Sequence, residues 1–147
     1  MEAYHRAPGI AVYGGGCAGT GGFAPEIAST GGPAAVGNSS FGLAVNNGLA
    51  GAPALLFLGL GAFTPGLPVG GGCSVYLNLS PFVLQIPPVV TLSGSGPGGG
   101  SGTNVFGVPH MPSLLGFSFY FQWVVLDAGS GNGLFTLTSG LGATIQA

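Results

Sequence analysis

The stretch FYFQWVVL, residues 119–126, decides the fold of this chain. All but one of its residues are apolar, and most are aromatic or β-branched, which favours a strand over a helix. Because successive side chains of a strand point to opposite faces, both faces of this strand must be covered. The stretch ALLFLGL, residues 54–60, is apolar in the same way. We therefore expect both strands to be central, or their outer faces to be covered by another part of the chain.

The rest of the chain consists of shorter apolar runs separated by breaks that contain glycine. In SFGLAVN the side chains of Phe41, Leu43 and Val45 alternate with small or polar ones, as in a strand with one buried face. The pattern predicts an all-β fold, a single antiparallel β-sandwich that is jelly-roll-like and has about eight to ten short strands and glycine-rich loops. We predict strands at residues 9–13, 24–29, 40–46, 53–60, 73–79, 82–92, 103–108, 115–126, 133–138 and 141–146.

Three segments need separate interpretation. A length of 147 residues favours one domain over residues 1–147, so the linker-like stretch SGSGPGGGSG, residues 93–102, is interpreted as a flexible hairpin loop. Pro87 and Pro88 cannot donate to a ladder, which places QIPPVV at a sheet edge or at a crossing between sheets. Residues 1–13 are interpreted as an N-terminal arm that completes the sheet of a neighbouring subunit; the alternative is pairing within its own domain.

The chain is 46% hydrophobic and only 3% charged, so it can bury enough apolar surface to fold despite its 32 glycines and 12 prolines. The charged residues are Glu2, Arg6, Glu26 and Asp127, and there is no lysine. Without clustered cations the sequence excludes a nucleic-acid-binding surface. A surface with so little charge also lacks the usual protection against association.

Neither a membrane-spanning helix nor a secretory signal is visible in the sequence. The longest apolar-looking stretch, LLGFSFYFQWVVL at residues 114–126, has 13 residues. A spanning helix needs roughly 20, so we predict no transmembrane helix. The N-terminal MEAYHRAPG lacks the apolar core of a signal peptide.

Gly14, Gly16 and Gly19 have the spacing of a dinucleotide-binding turn. That motif requires a helix after the glycines, because the helix N terminus holds the pyrophosphate. Here TGGFAPEIASTGGP follows, which is too rich in glycine and proline for such a helix. We interpret the match as accidental and predict no cofactor.

Cys17 and Cys73 are the only cysteines, and each follows a glycine triplet. They form either a disulfide, which is favoured if the protein is exported, or a reactive thiol beside His5 or His110. Two cysteines and two histidines without a close-set pair do not predict a metal site.

The carboxylates are too few for ordinary acid–base catalysis. Only Glu2, Glu26 and Asp127 are available, and no nucleophile-elbow pattern is present. We therefore predict that the protein is not an enzyme. Asp127 begins DAGSGNG, which we interpret as a hairpin turn rather than a calcium loop.

Phe119, Phe121 and Trp123 share one face of the predicted strand, with Tyr120 and Gln122 on the other. Two interpretations stay open for the first face. Packing in the core is the one that we favour, and a stacking surface for a sugar ring is the alternative.

Five glycine-containing motifs follow one another along the chain. YGGGCAGTGG is followed by NNGLAGAPALLFLGLG, GGGCSVYLNLSP, VPHMPSLLGFSFYFQWVVLD and LTSGLGATIQ. This succession resembles an uncharacterised glycine-rich β domain with two cysteines, which occurs in exported proteins of environmental bacteria such as planctomycetes. The resemblance implies an extracytoplasmic β-sandwich with a Cys17–Cys73 bridge, and it implies no catalytic residues.

These observations predict a non-catalytic structural protein that is extracellular or on the cell surface. Its partner would be a further copy of itself, in a filament, sheath or surface layer. The alternative is a secreted binding module, most plausibly for glycans through exposed aromatic side chains. Glycosylation of the many serines and threonines would help to keep an almost uncharged surface in solution.

Overall fold

The computed structural model of the protein describes residues 9–80 and 83–147. Helical structure in these residues is limited to two 3₁₀ turns, Thr20–Gly22 and Pro112–Leu114. The strands of the described residues are β1 (Ile10–Tyr13), β2 (Glu26–Thr30), β3 (Gly42–Gly48), β4 (Pro53–Gly59), β5 (Ala62–Gly70), β6 (Cys73–Leu77), β7 (Val83–Thr91), β8 (Gly100–Val105), β9 (Ser118–Leu126), β10 (Phe135–Leu137) and β11 (Gly140–Thr144). The all-β prediction is confirmed.

The strands form antiparallel sheets that pack on one another. The largest sheet has the order β1-β11-β9-β4-β7, with β10 also paired to β9. A three-stranded sheet, β2-β3-β8, covers its inner face, and a two-stranded hairpin, β5-β6, lies on its outer face. The architecture is therefore a β-sandwich with a hairpin added outside one sheet.

The main core lies between the six-stranded and the three-stranded sheets. On the inner face of β9, Phe121, Trp123 and Val125 are fully buried. Their cross-strand partners on β4 are Leu58, Leu56 and Ala54, and the opposing sheet contributes Ile27, Leu43 and Val45. The predicted central position of the strand at 119–126 is confirmed, because β9 has a partner strand on each side.

The outer face of β9 is covered by the β5-β6 hairpin, since β6 contacts β9, β10 and β11. This cover explains why FYFQWVVL is apolar on both faces. The same hairpin lies over Phe57 of β4, whose side chain points away from the main core. The expectation that another part of the chain covers these outer faces is confirmed.

Pro87 and Pro88 lie in β7, at the edge of the six-stranded sheet, as the sequence indicated. The side-chain amide of Asn104, on β8 of the other sheet, donates to the carbonyls of Ile86 and Pro88 at 3.1 and 3.2 Å. A side-chain bridge thus joins the two sheets where a ladder would be interrupted by proline.

The structure differs from the strand predictions at two places. Strand β5 (Ala62–Gly70) was not predicted, because its two prolines and two glycines are typical of a loop. It forms by pairing with β6, through a register with two irregularities. Strand β8 begins at Gly100, so the last three residues of the predicted loop 93–102 are in a strand, and Ser93 pairs with Ser101.

Strand β1 pairs with β11 of its own chain, from Ile10 opposite Ala143 to Tyr13 opposite Gly140. This is the intrachain arrangement. The exchange of residues 1–13 between subunits stays a prediction, and residues 1–8 lie outside the described residues. Within the described ranges, no helix has the length and apolar character needed to cross a bilayer.

Candidate functional site

The disulfide predicted for the two cysteines is present. Cys17 and Cys73 are bonded at 2.01 Å, with 4.9 Å between their Cα atoms. Both are buried and pack with Leu137 in a small cluster on the outer side of the six-stranded sheet. With both sulfur atoms in the bond, neither residue is available as the reactive thiol that the sequence had left open. The bridge joins the N-terminal glycine turn to the start of β6.

A buried glutamine holds the hairpin on the sheet. The Gln122 amide nitrogen donates to the carbonyls of Ser74 and Thr138 at 2.9 and 2.8 Å. Its carbonyl oxygen accepts a hydrogen bond from the Tyr76 amide at 2.9 Å. All the groups of this side chain with hydrogen-bonding capacity therefore have a partner, which removes the cost of burying it. Gln122 is the one polar residue in FYFQWVVL, and that position in an apolar run is the signal that could have identified it.

Three tyrosines pack beside the glycine turn. The Tyr13 hydroxyl donates to the Tyr76 carbonyl at 2.9 Å, and its ring meets those of Tyr76 and Tyr120 edge-on. Burial raises the pKa of Tyr13 well above its ordinary value, and repulsion from Tyr120 adds to this effect. Tyr13 is thus a neutral donor at any physiological pH. Gly14 has a positive φ and lies against the Tyr76 ring, where a β-carbon would clash.

Asp127 fastens the start of the β9–β10 turn to the segment after Cys17. Its carboxylate accepts hydrogen bonds from the Thr20 hydroxyl and amide and from the Gly129 amide, the last two at 2.9 and 2.8 Å. Burial alone would raise the pKa of Asp127, but these three donors outweigh it and lower the pKa. The role is structural, and a β-carbon at Gly19 would collide with the carboxylate.

The structure decides between the two interpretations of the aromatic face in favour of core packing. Phe121 and Trp123 have no exposed surface, and Phe119 is half-buried against Phe106. A sugar ring cannot stack on a side chain enclosed between two sheets, so this face belongs to the core. Among the buried side-chain nitrogen and oxygen atoms of the described residues, only the indole nitrogen of Trp123 lacks a hydrogen-bond partner.

The remaining candidate residues do not assemble into a site. His110 is exposed, and His5 and Glu2 lie outside the described residues. Glu26 is exposed on β2, whereas Asp127 is enclosed in its turn. Gly14, Gly16 and Gly19 lead into a three-residue 3₁₀ turn, where a dinucleotide site would need a long helix.

The surface of the described residues includes three concave regions of interest. A groove along the hairpin is lined by Phe63, Leu67 and Leu79, among others. An open cleft of about 440 Å³ lies beside the exposed ring of Phe117 and the half-buried ring of Tyr120. The third is a cavity of about 210 Å³ beneath the hairpin. The sequence carried no signal for the cleft and the cavity, because each joins segments that are far apart in the chain. The groove lies along one hairpin, whose strand β5 was not predicted.

Fold and site together define a disulfide-linked, all-β protein with buried polar anchors and an apolar exterior. No protein-family model, curated protein sequence or solved structure matches this chain.

Proposed function

We propose that the protein is a non-catalytic structural subunit that assembles with copies of itself outside the cytoplasm, in a filament, sheath or surface layer. The observation that carries the proposal is an exterior with many large apolar side chains and almost no charge. Fourteen such side chains are exposed in the described residues: Phe23, Leu60, Phe63, Leu67, Val69, Leu79, Leu84, Val89, Val105, Met111, Leu115, Phe117, Leu126 and Leu134. Apolar patches on a surface mark sites of association.

Strand β5 is the region of this exterior best suited to assembly. Except for Gly66 it is exposed along its whole length, and it has no charged residue. Edge strands of soluble proteins are normally protected by charges. Pro65 and Pro68 prevent a regular ladder with a further strand, so contact between subunits would depend on the side chains of Phe63 and Leu67. The groove beside these two residues would receive the apolar side chains of the neighbour.

The Cys17–Cys73 bridge supports a location outside the cytoplasm, since stable disulfides persist mainly in oxidising compartments. It also supports a structural role, because both cysteines are buried and connect segments of the scaffold. A rigid, covalently linked subunit suits a polymer that must survive without chaperones.

The test is the assembly of the oxidised protein. We expect the wild type to form particles or fibres, seen by light scattering and negative-stain electron microscopy, as its concentration rises. The double variant Phe63→Asp, Leu67→Asp should remain monomeric, because carboxylates would replace the apolar side chains on which the contact depends, and burying them unpaired is costly. Leu134→Asp, at an exposed site in the β9–β10 turn, is the matched control and should assemble. A wild type that stays monomeric at high concentration would refute the proposal.

A second candidate function, glycan binding, is favoured by the cleft beside Phe117 and Tyr120. The Phe117 ring is 56% exposed, and Leu60 and Leu115 border the same cleft without any charged residue. An exposed aromatic ring is a suitable surface for the apolar face of a neutral sugar. An oligosaccharide array should then retain the wild type and lose Phe117→Ala, whereas Phe23→Ala, another exposed aromatic, should bind as the wild type does. Equal retention of both variants would exclude this cleft.

A further inference from the structure

The cavity beneath the hairpin is bounded by both layers. Phe57 and Val124 form its floor on the outer face of the six-stranded sheet, and Leu137 of β10 closes one side. Val75 and Leu77 of β6 form its roof. The volume of about 210 Å³ exceeds that of an engineered cavity of about 150 Å³ known to hold a benzene molecule.

The cavity is partly open to solvent, and its lining has no free polar side chain that would fix a water molecule in place. Gln122 is its one polar side chain, and its amide is fully engaged with Ser74, Thr138 and Tyr76. An enclosed water needs two to four polar partners. A cavity with apolar walls and no free donor or acceptor is therefore better filled by an apolar molecule than by water.

We infer that this cavity is a binding site for a small, uncharged, apolar molecule, with the size of one aromatic ring bearing a short alkyl group. No charged residue lines it, so nothing would offset the desolvation of an ionic ligand. A second protein chain is a poor occupant, because a stable interface buries about 800 Å² on each partner and this cavity admits little more than one side chain.

The site does not include the two side chains on which the proposed assembly depends. Its lining comes from β4, β6, β7, β9, β10 and Leu79, and neither Phe63 nor Leu67 contributes to it, although Leu77 and Leu79 also border the groove beside those two residues. A ligand could therefore bind to a monomer, and the failure of either proposal would leave the other standing.

The first test uses benzene as the probe and benzoate, the same ring with a charge, as the control. In isotope-labelled wild-type protein, we expect intermolecular nuclear Overhauser effects from benzene to the methyl groups of Val75, Val124 and Leu137. Benzene at about a hundredfold excess over its Kd should also raise Tm by about 8 °C. Absent contacts, contacts confined to other residues, or equal binding of benzoate would each overturn the inference.

Two variants test the location. Val75→Phe should fill the cavity and lower benzene affinity at least tenfold, whereas Val105→Phe, on the exposed side of β8, should leave it unchanged. If Val75→Phe does not fold, Val124→Ile is the test of location, because its one added methylene group enters the cavity and should still weaken benzene binding. Unchanged affinity in the deciding variant contradicts the site. Loss of benzene binding as protein concentration rises would also contradict it, because a neighbouring copy would then be the occupant.

Discussion

The two sides of the six-stranded sheet are held by different forces. On the inner side, a cluster of seventeen buried apolar residues fills the space to the three-stranded sheet. On the outer side, the corresponding cluster has three members, Cys17, Cys73 and Leu137. There the hairpin is attached by a disulfide, by the two hydrogen bonds that Gln122 makes with Ser74 and Tyr76, and by the tyrosines around Tyr76.

The difference shows how a small layer is added to a finished core. A two-stranded hairpin alone is at best marginally stable in water, because it buries too little apolar surface. Covalent and polar attachments can hold it without close packing, and a cavity can then remain beneath it. The following changes separate the two kinds of attachment.

Replacing both cysteines, Cys17→Ala with Cys73→Ala, should have the largest effect. The bridge closes a separation of 56 residues, and its loss lowers the free energy of unfolding by about 4 kcal/mol on the chain-entropy estimate. Urea titration measures the total. Hydrogen exchange should show β6 amides losing more protection than β4 amides, and an equal loss in both strands would contradict the two-layer description.

Neighbouring leucines on β4 test the contrast between the faces. Leu56 is fully buried in the main core, so Leu56→Ala should lower the free energy of unfolding by about 3 kcal/mol. Leu55 is half-buried on the outer face. Leu55→Ala should therefore lower the free energy of unfolding by only about 1 kcal/mol, because less buried apolar surface is removed. Chemical denaturation of the pair gives the comparison. Equal losses would show that both faces are packed alike.

Gln122→Met keeps the size of the side chain but leaves the Tyr76 amide and the carbonyls of Ser74 and Thr138 without their partner. We expect a loss of about 2 kcal/mol in unfolding free energy. Gln85→Met, at an exposed position on β7, is the matched control and should change stability by less than about 0.5 kcal/mol. A neutral Gln122→Met would mean that the hydrogen bonds of Gln122 do not help to hold the hairpin.

Asp127→Asn should have the smallest effect, about 1 kcal/mol, because an amide replaces a charged acceptor of three hydrogen bonds. The substitution should also change how the stability of the protein depends on pH. The pKa of Asp127 is lowered in the folded state, so its contribution is present at neutral pH and is lost as pH falls below about 4 towards that lowered pKa.

The acid limb of the stability curve should therefore be shallower in Asp127→Asn than in the wild type. Glu26→Gln removes an exposed carboxylate instead and should leave the curve unchanged. Thermal melts at about ten pH values between roughly pH 2 and pH 7 would record the stability curve of each variant. An identical acid limb in Asp127→Asn would show that the Thr20 contacts do not hold the carboxylate ionised.

Much of the fold could be predicted from local patterns. The apolar runs identified the positions of ten of the strands in the described residues, and Pro87 and Pro88 identified an edge. The pairing of the two cysteines was also predictable, because the sequence contains no other candidate. Strand β5 was missed since its prolines and glycines oppose a strand locally, and only its pairing with β6 supplies the bonds that stabilise it.

The candidate sites were much less accessible to sequence reasoning. Trp123 and Phe117 are both aromatic and lie close in the chain, yet one is enclosed and the other is more than half exposed. Alternation along a strand assigns side chains to faces, but it does not tell which face a second sheet covers. The sequence therefore left both interpretations of the Phe121 and Trp123 rings open, and only their burial in the structure assigns them to the core.

By itself, the sequence determined the all-β class, the covered strand at its centre and the scarcity of charge, because composition and alternation act through neighbouring residues. It offered a single possible disulfide but left a free thiol as the alternative. Only the tertiary structure decided that β5 is a strand, that Gln122 is an anchor, and that the hairpin lies on the outer face above a cavity. These features depend on contacts between segments far apart in the chain, such as Ser74 with Gln122 and Cys17 with Leu137. Such contacts contribute to stability only after the chain has folded and brought these distant segments together.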